Sequence, residues 1–235
     1  MKKLVQKFFI QLKSLRKEVS NMGNLSISML EDSVDALKEI DIKKANSVIS
    51  KKTKLAEMDE DIEKKTLHLI TLYQPMAKDM REIACILKMI TYLTRIGRYG
   101  KDIAILVKEF EKEGHVKKLA SIPHMADIVG NMIEDALEGF NKKDISIFND
   151  FIKKEETVDT LRYSIFRECL SYMIEDPKVI TRCTYYIMIA RYLERCADHA
   201  CKIAEKIIYM VSGERVEIDC RNETSKTCFA GVKKK

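Results

Sequence analysis

An ordered series of residues in the first half of this chain recurs about 103 positions later, and that duplication limits the possible folds more than any other feature. Met22 matches Met125, Met29 matches Met132, and Glu31-Asp32 matches Glu134-Asp135. Asp41-Ile42 matches Asp144-Ile145, Ile49 matches Ile152, and Ile62 matches Ile165. Between these identities the apolar positions correspond: Leu25 with Ile128, Leu30 with Ile133, Val34 with Leu137. Further along the offset becomes 100, pairing Tyr92-Leu93 with Tyr192-Leu193, Arg95 with Arg195, and Ile103-Ala104 with Ile203-Ala204. The change of offset falls between helical stretches, where insertions are tolerated.

Each copy reads as three helices. Leu4, Phe8, Leu12, Leu15, Val19, Met22, Met29, Ser33 and Ala36 recur at three-to-four spacing, which predicts a first helix over about 4–37. A turn at Ile40-Asp41 leads into a second helix over 42–72. Pro75 fits the first turn of a third, which runs to about Phe110 and stops at the glycine-containing EKEGH segment. In the second copy Pro123 opens a fourth helix, Asp144 is the expected N-cap of a fifth, and Pro177 starts a sixth that ends before Gly213. Short turns force successive long helices to run antiparallel. The expected fold is all-α, with two tandem three-helix bundles over residues 1–115 and 116–213 and a flexible tail over 214–235. A single continuous six-helix bundle fits the same pattern.

Composition narrows the function classes. Hydrophobic residues are 46% and charged residues 33% of the 235, as in a folded soluble protein, and only eight glycines and three prolines punctuate it. No run approaches the roughly 20 apolar residues of a membrane span. Lys7 and Lys13 interrupt the N-terminal apolar stretch, unlike a secretory signal, so a cytoplasmic location is expected. The net charge of +6 is spread along the helices without a nucleic-acid motif. Lys233, Lys234 and Lys235 offer at most a peripheral contact with acidic lipid. Cys85, Cys169, Cys183, Cys196 and Cys201 fall within helical patterns and read as buried reduced thiols. Cys220 and Cys228 in the tail could pair, bind metal or stay free.

Comparing the copies exposes candidate chemistry. Glu155 and Asp159 lie four apart on the fifth helix, and Glu194 and Asp198 four apart on the sixth. Residues at i, i+4 share a helix face at about 5–6 Å. If the two helices face each other, four carboxylates converge and need a cation, such as Mg, Mn or Fe, with Zn less favoured by an all-oxygen set. Ordinary ion pairs with Arg195 and Lys202 are the alternative. The equivalent positions in the first copy are Lys52, Ala56, Thr94 and Arg98, which would repel a metal. That site reads as filled by ion pairs, for example Arg98 with Asp102, or as an anion pocket. A di-iron carboxylate enzyme would use Glu-x-x-His at i, i+3, and no histidine (His68, His115, His124, His199) has that spacing. His199 points away from Asp198 and reads as a solvent-facing or core residue. No nucleophile–base constellation and no glycine-rich phosphate loop accompanies these residues.

QPMAKDMR (74–81) followed by YLTRIGRYGKDIA (92–104), and RYLERCADHACKIAE (191–205) followed by Tyr209 and VSGE (211–214), resemble the two repeat signatures of the PhoU family. The resemblance spans about residues 8–215. It implies tandem three-helix bundles and paired carboxylate motifs holding iron or zinc clusters. It further implies a non-enzymatic regulatory role at the inner face of the membrane, linking the ATPase of a phosphate ABC transporter to a sensor histidine kinase. Glu155, Asp159, Glu194 and Asp198 match the second motif pair. Lys52, Ala56, Thr94 and Arg98 do not match the first, so one metal site is expected, with iron or zinc foremost and Mn or Mg next. Apolar helix edges leave room for a homodimer. A metal-free scaffold is the remaining reading.

Overall fold

The structure, a computed structural model, describes residues 2–218, with side chains from residue 5. It contains six long helices and, among the described residues, no strand: α1 (Lys2–Glu39), α2 (Ile42–Tyr73), α3 (Lys78–Val107), α4 (Ser121–Lys142), α5 (Phe151–Glu175) and α6 (Ile180–Ser212). The apolar stripe read on the first helix is its buried face: Leu12, Leu15, Val19, Met22, Met29, Ser33 and Ala36 are all 2% exposed or less. No helix among the described residues is long and apolar enough to cross a membrane.

Helix ends follow local chemistry. Asp41 caps α2, its Oδ1 accepting the N–H groups of Lys43 and Lys44 at 2.9 Å each. These are two of the orphan donors every helix start presents. Asp41→Ala is expected to cost about 1 kcal/mol, read as a fall of about 2–4 °C in melting temperature. An unchanged melt would show that solvent satisfies these donors equally well. Gly213 closes α6 at φ 81°, its N–H returning to the carbonyl of Tyr209.

Three boundary expectations are corrected. Pro75 does not open α3; it lies in a link after Gln74, which ends α2 at φ 46°, and α3 begins at Lys78. Gln74 closes α2 in the left-handed conformation, its N–H returning to the Ile70 carbonyl, so the chain has already left the helix before Pro75. Asp144 does not cap α5, which starts at Phe151. Its carboxylate is taken by the N–H and hydroxyl of Ser146, tightening the chain into a 3₁₀ turn over Ser146–Phe148. Finally, residues 214–218 of the expected tail lie against the bundle. Ile218 is 2% exposed and donates its N–H to Glu205 Oε1 at 2.9 Å. Cys220, Cys228 and the terminal lysines lie outside the described residues.

The two three-helix units share one continuous apolar core. α3 packs on α6 and α1 on α4, so the tandem-bundle and six-helix expectations describe the same object. The contacts at the seam are reciprocal. Tyr92 stacks on His199 at 5.6 Å between ring centroids and Tyr99 on Tyr192 at 5.4 Å. An offset of 100 turns Tyr92 into Tyr192 and Tyr99 into His199, so each half presents the same patch to the other, as across a two-fold axis. The five described cysteines are free and buried, as expected. Burial raises the Cys169 thiol to about 12, so these thiols pack as small apolar groups.

Candidate functional site

α5 and α6 run antiparallel, and their register sets Asp159 beside Glu194 and Glu155 beside Asp198. Glu155 is 5% and Glu194 3% exposed, while Asp159 and Asp198 are half-buried. Asp198 and Asp159 both lie near enough to act on Glu194, and Glu155 shares a cleft with Asp198. Burial pushes the Glu194 carboxyl above its ordinary value. Asp198 and Asp159 add to the rise, while Arg191 and Arg162 oppose it. Glu155 and Asp198 also act together on the Cys201 thiol, which burial drives well up.

Arginines temper this concentration of negative charge. Arg191 donates to both oxygens of Glu194 from one turn away, and Arg162 Nε approaches Glu194 Oε1 at 3.7 Å. Arg195 donates to Asp198 Oδ2 at 3.1 Å. Lys202, the other expected partner, pairs with Glu205 at 2.8 Å instead. In this arrangement no three His, Cys, Asp or Glu side chains among the described residues gather tightly enough for one metal ion. The donor set is all oxygen and half of it is buried, the chemistry that hard or borderline cations take, but the rise at Glu194 comes from burial, because Arg191 and Arg162 together outweigh Asp198 and Asp159. Sequence reading missed Arg191 and Arg162. Arg162 was detectable, since it follows Asp159 by three and Glu155 by seven on the same helix face.

The equivalent place in the first repeat has inverted charge. Lys52, Ala56, Thr94 and Arg98 line one small cleft with Met29 and Leu55. The expected Arg98–Asp102 pair is absent; Asp102 pairs with its neighbour Lys101 at 2.7 Å. Instead Asp59 enters from one turn along α2 and accepts the Thr94 hydroxyl at 3.0 Å. By the repeat offset Lys52 aligns with Glu155, Arg98 with Asp198, and Asp59 with Arg162. Three positions have exchanged sign between the copies, which removes the carboxylate cluster from the first.

His199 is a core residue, 9% exposed, held between the rings of Tyr92 and Tyr99. Burial lowers its pKa to about 4, Arg95 adding to the effect, so the ring is neutral at physiological pH.

A helical protein built from two repeats of three helices is the class this fold defines. The family model described as PhoU domain matches twice, over residues 19–107 and 122–207. The chain is 36% identical over 211 residues to the phosphate-specific transport system accessory protein PhoU homolog of Rhizobium meliloti, covering 89% of each chain. It is 30% identical over 213 residues to the homolog of that name in Clostridium acetobutylicum, covering 90% of this chain and 97% of the relative. The crystal structure of PhoU from Pseudomonas aeruginosa superposes with a TM-score of 0.84 at 31% identity, over 88% of this chain and all of that one. This chain belongs to the PhoU family, and its two repeats are two PhoU domains.

Proposed function

We propose that this protein is a non-enzymatic accessory regulator of phosphate transport. It restrains uptake and the phosphate-starvation response when phosphate is plentiful, through contacts with the ATPase of a phosphate ABC transporter and with a sensor histidine kinase in the cytoplasm. The observation that carries this reading is the double PhoU match, together with relatives of nearly equal length that bear the accessory-protein name. The candidate site supports a binding role, since Glu194 and Asp198 are engaged by arginines rather than aligned with a nucleophile. The test is genetic and direct. Removing the gene is expected to leave a starvation reporter switched on in phosphate-rich medium, and normal repression would overturn the reading.

Within that role, Glu155, Asp159, Glu194 and Asp198 would hold iron or zinc, or failing these manganese or magnesium. A bound cation would supply positive charge that ties α5 to α6. That cation would compete with Arg191 for Glu194 and with Arg195 for Asp198. Replacing Glu194 and Asp198 together with alanine is expected to abolish bound metal, measured by elemental analysis of purified protein, without unfolding the bundle. Equal metal content in parent and variant would sink the assignment. One observation favours a metal-free scaffold instead: Arg191 already satisfies both Glu194 oxygens. A parent protein purified without metal, and binding none on dialysis, would decide for it.

A further inference from the structure

The seam between the repeats contains an open cleft of about 350 Å³ that neither bundle forms alone. Arg95 reaches it from α3, Glu155 from α5, and Arg195, Asp198, His199 and Lys202 from α6. His199 forms part of its wall. The ring is fixed by stacking on Tyr92 and Tyr99, yet its Nε2 is buried with no hydrogen-bond partner among the described residues. A buried polar atom left unpaired costs roughly 1–3 kcal/mol, so one that persists points to a missing partner. Arg95 is exposed and makes no ion pair among the described residues. Arg195 and Lys202 reach the cleft while resting on Asp198 and Glu205.

The mixture of charges specifies the ligand. Glu155 and Asp198 are shared with the proposed metal donors, so in metal-free protein the three cationic side chains leave this cleft suited to an anion. An anion without protons, such as sulfate, would be drawn by those cations but repelled by Glu155 and Asp198. A protonated oxyanion satisfies both sets: its bare oxygens accept from guanidinium, ammonium and imidazole N–H groups, and its P–OH donates to a carboxylate.

We infer that this cleft binds hydrogen phosphate, with Arg95, Arg195, Lys202 and His199 Nε2 donating to its oxygens and Glu155 or Asp198 accepting from its hydroxyl. Arg95 belongs to the first repeat and the other groups to the second, so a bound phosphate bridges the seam and favours the docked arrangement of the two halves. This deepens the regulatory reading and rests on it for the meaning of the signal, but it requires neither a partner protein nor the metal.

The test is calorimetric titration of the full chain, freed of metal by chelation, with inorganic phosphate, sulfate and the phosphate monoester AMP. Saturable one-to-one binding of inorganic phosphate is expected, with sulfate at least about tenfold weaker. A charge-assisted hydrogen bond is worth roughly tenfold or more in affinity, so Arg95→Ala should weaken phosphate by about that factor. Arg95 is exposed, and its removal should leave the melting temperature unchanged; His199→Gln provides a second variant aimed at the orphan nitrogen. Absence of saturable phosphate binding, sulfate binding as well as phosphate, or an Arg95→Ala affinity equal to the parent's would each overturn the inference. Tighter binding of AMP than of inorganic phosphate would overturn free phosphate as the ligand. Metal content and reporter repression are read separately, so failure here leaves those readings standing, and their failure leaves this one.

Discussion

Gly100→Ala should lower the stability of the protein by about 2 kcal/mol, although alanine is the better helix former by about 1 kcal/mol. The reason is the contact between α1 and α3. A Cβ on Gly100 would lie 2.7 Å from the backbone carbon and oxygen of Met29 and 2.9 Å from the nitrogen of Leu30. Backbone atoms inside a helix cannot rotate aside, so α1 would have to shift along a face where Val19, Met22, Met29 and Leu30 are already fully packed. Gly97, one turn earlier on the same face, provides the control. A Cβ there meets the Leu55 side chain at 2.4 Å, and a side chain can change rotamer. Gly97→Ala should therefore cost less than Gly100→Ala. At this size 2 kcal/mol corresponds to a fall of about 4–8 °C in melting temperature. A Gly100→Ala protein that melts with the parent, or above it, would refute the account. The repeat offset adds a reason: the aligned residues in α6 are Ala197 and Ala200, so the first bundle is built for a closer helix approach than the second.

The second large effect is expected at Glu82, a carboxylate only 2% exposed on α3. Burial by itself would raise its pKa. Hydrogen bonds from Arg16 of α1 and from Lys143 at the end of α4, the latter at 2.7 Å, outweigh this and hold it below the ordinary 4.5. One buried charge thus ties the first repeat together and fastens it to the second. Glu82→Gln keeps the shape but leaves two cations facing a neutral amide. Because Arg16 and Lys143 are partly solvated, the loss should be about 2–3 kcal/mol rather than the full cost of breaking a wholly buried pair. The pH dependence follows from the direction of the shift. A carboxylate with a depressed folded pKa stabilises fully above its unfolded value, and the contribution disappears as pH falls through the folded one. The stability gap between parent and Glu82→Gln in urea unfolding should therefore be largest near neutrality and shrink progressively below about pH 4.5. A gap that stays constant into the acid range would show that the glutamate acts by shape alone.

Much of this protein was legible before folding was considered. Helix count, the antiparallel order and the buried stripe of α1 follow from apolar periodicity and the few breakers, and the duplication follows from matched residues. The i, i+4 spacing put Glu155 with Asp159 and Glu194 with Asp198 on their helices, and docking of α5 on α6 brings Asp159 near Glu194 and Glu155 near Asp198. Periodicity could not show that Asp144 would fold its carboxylate onto Ser146, because an aspartate before a helix pattern offers the same oxygen to a cap or to a tight turn. Nor could it show Arg191 bonded across Glu194, since a surface arginine has many reachable partners and packing chooses among them.

What the sequence by itself determined is therefore the local and the periodic: which segments are helical, which faces are apolar, and that the two copies differ in charge at aligned positions. Only tertiary structure decided what lies between the copies. The reciprocal stacking of Tyr92 on His199 and Tyr99 on Tyr192, the clamp on Glu82 and the mixed-charge cleft all join residues roughly 60–110 positions apart. Helical periodicity carries information over a few turns, whereas contacts at that separation depend on how whole helices dock, which a single chain's residue pattern does not encode locally.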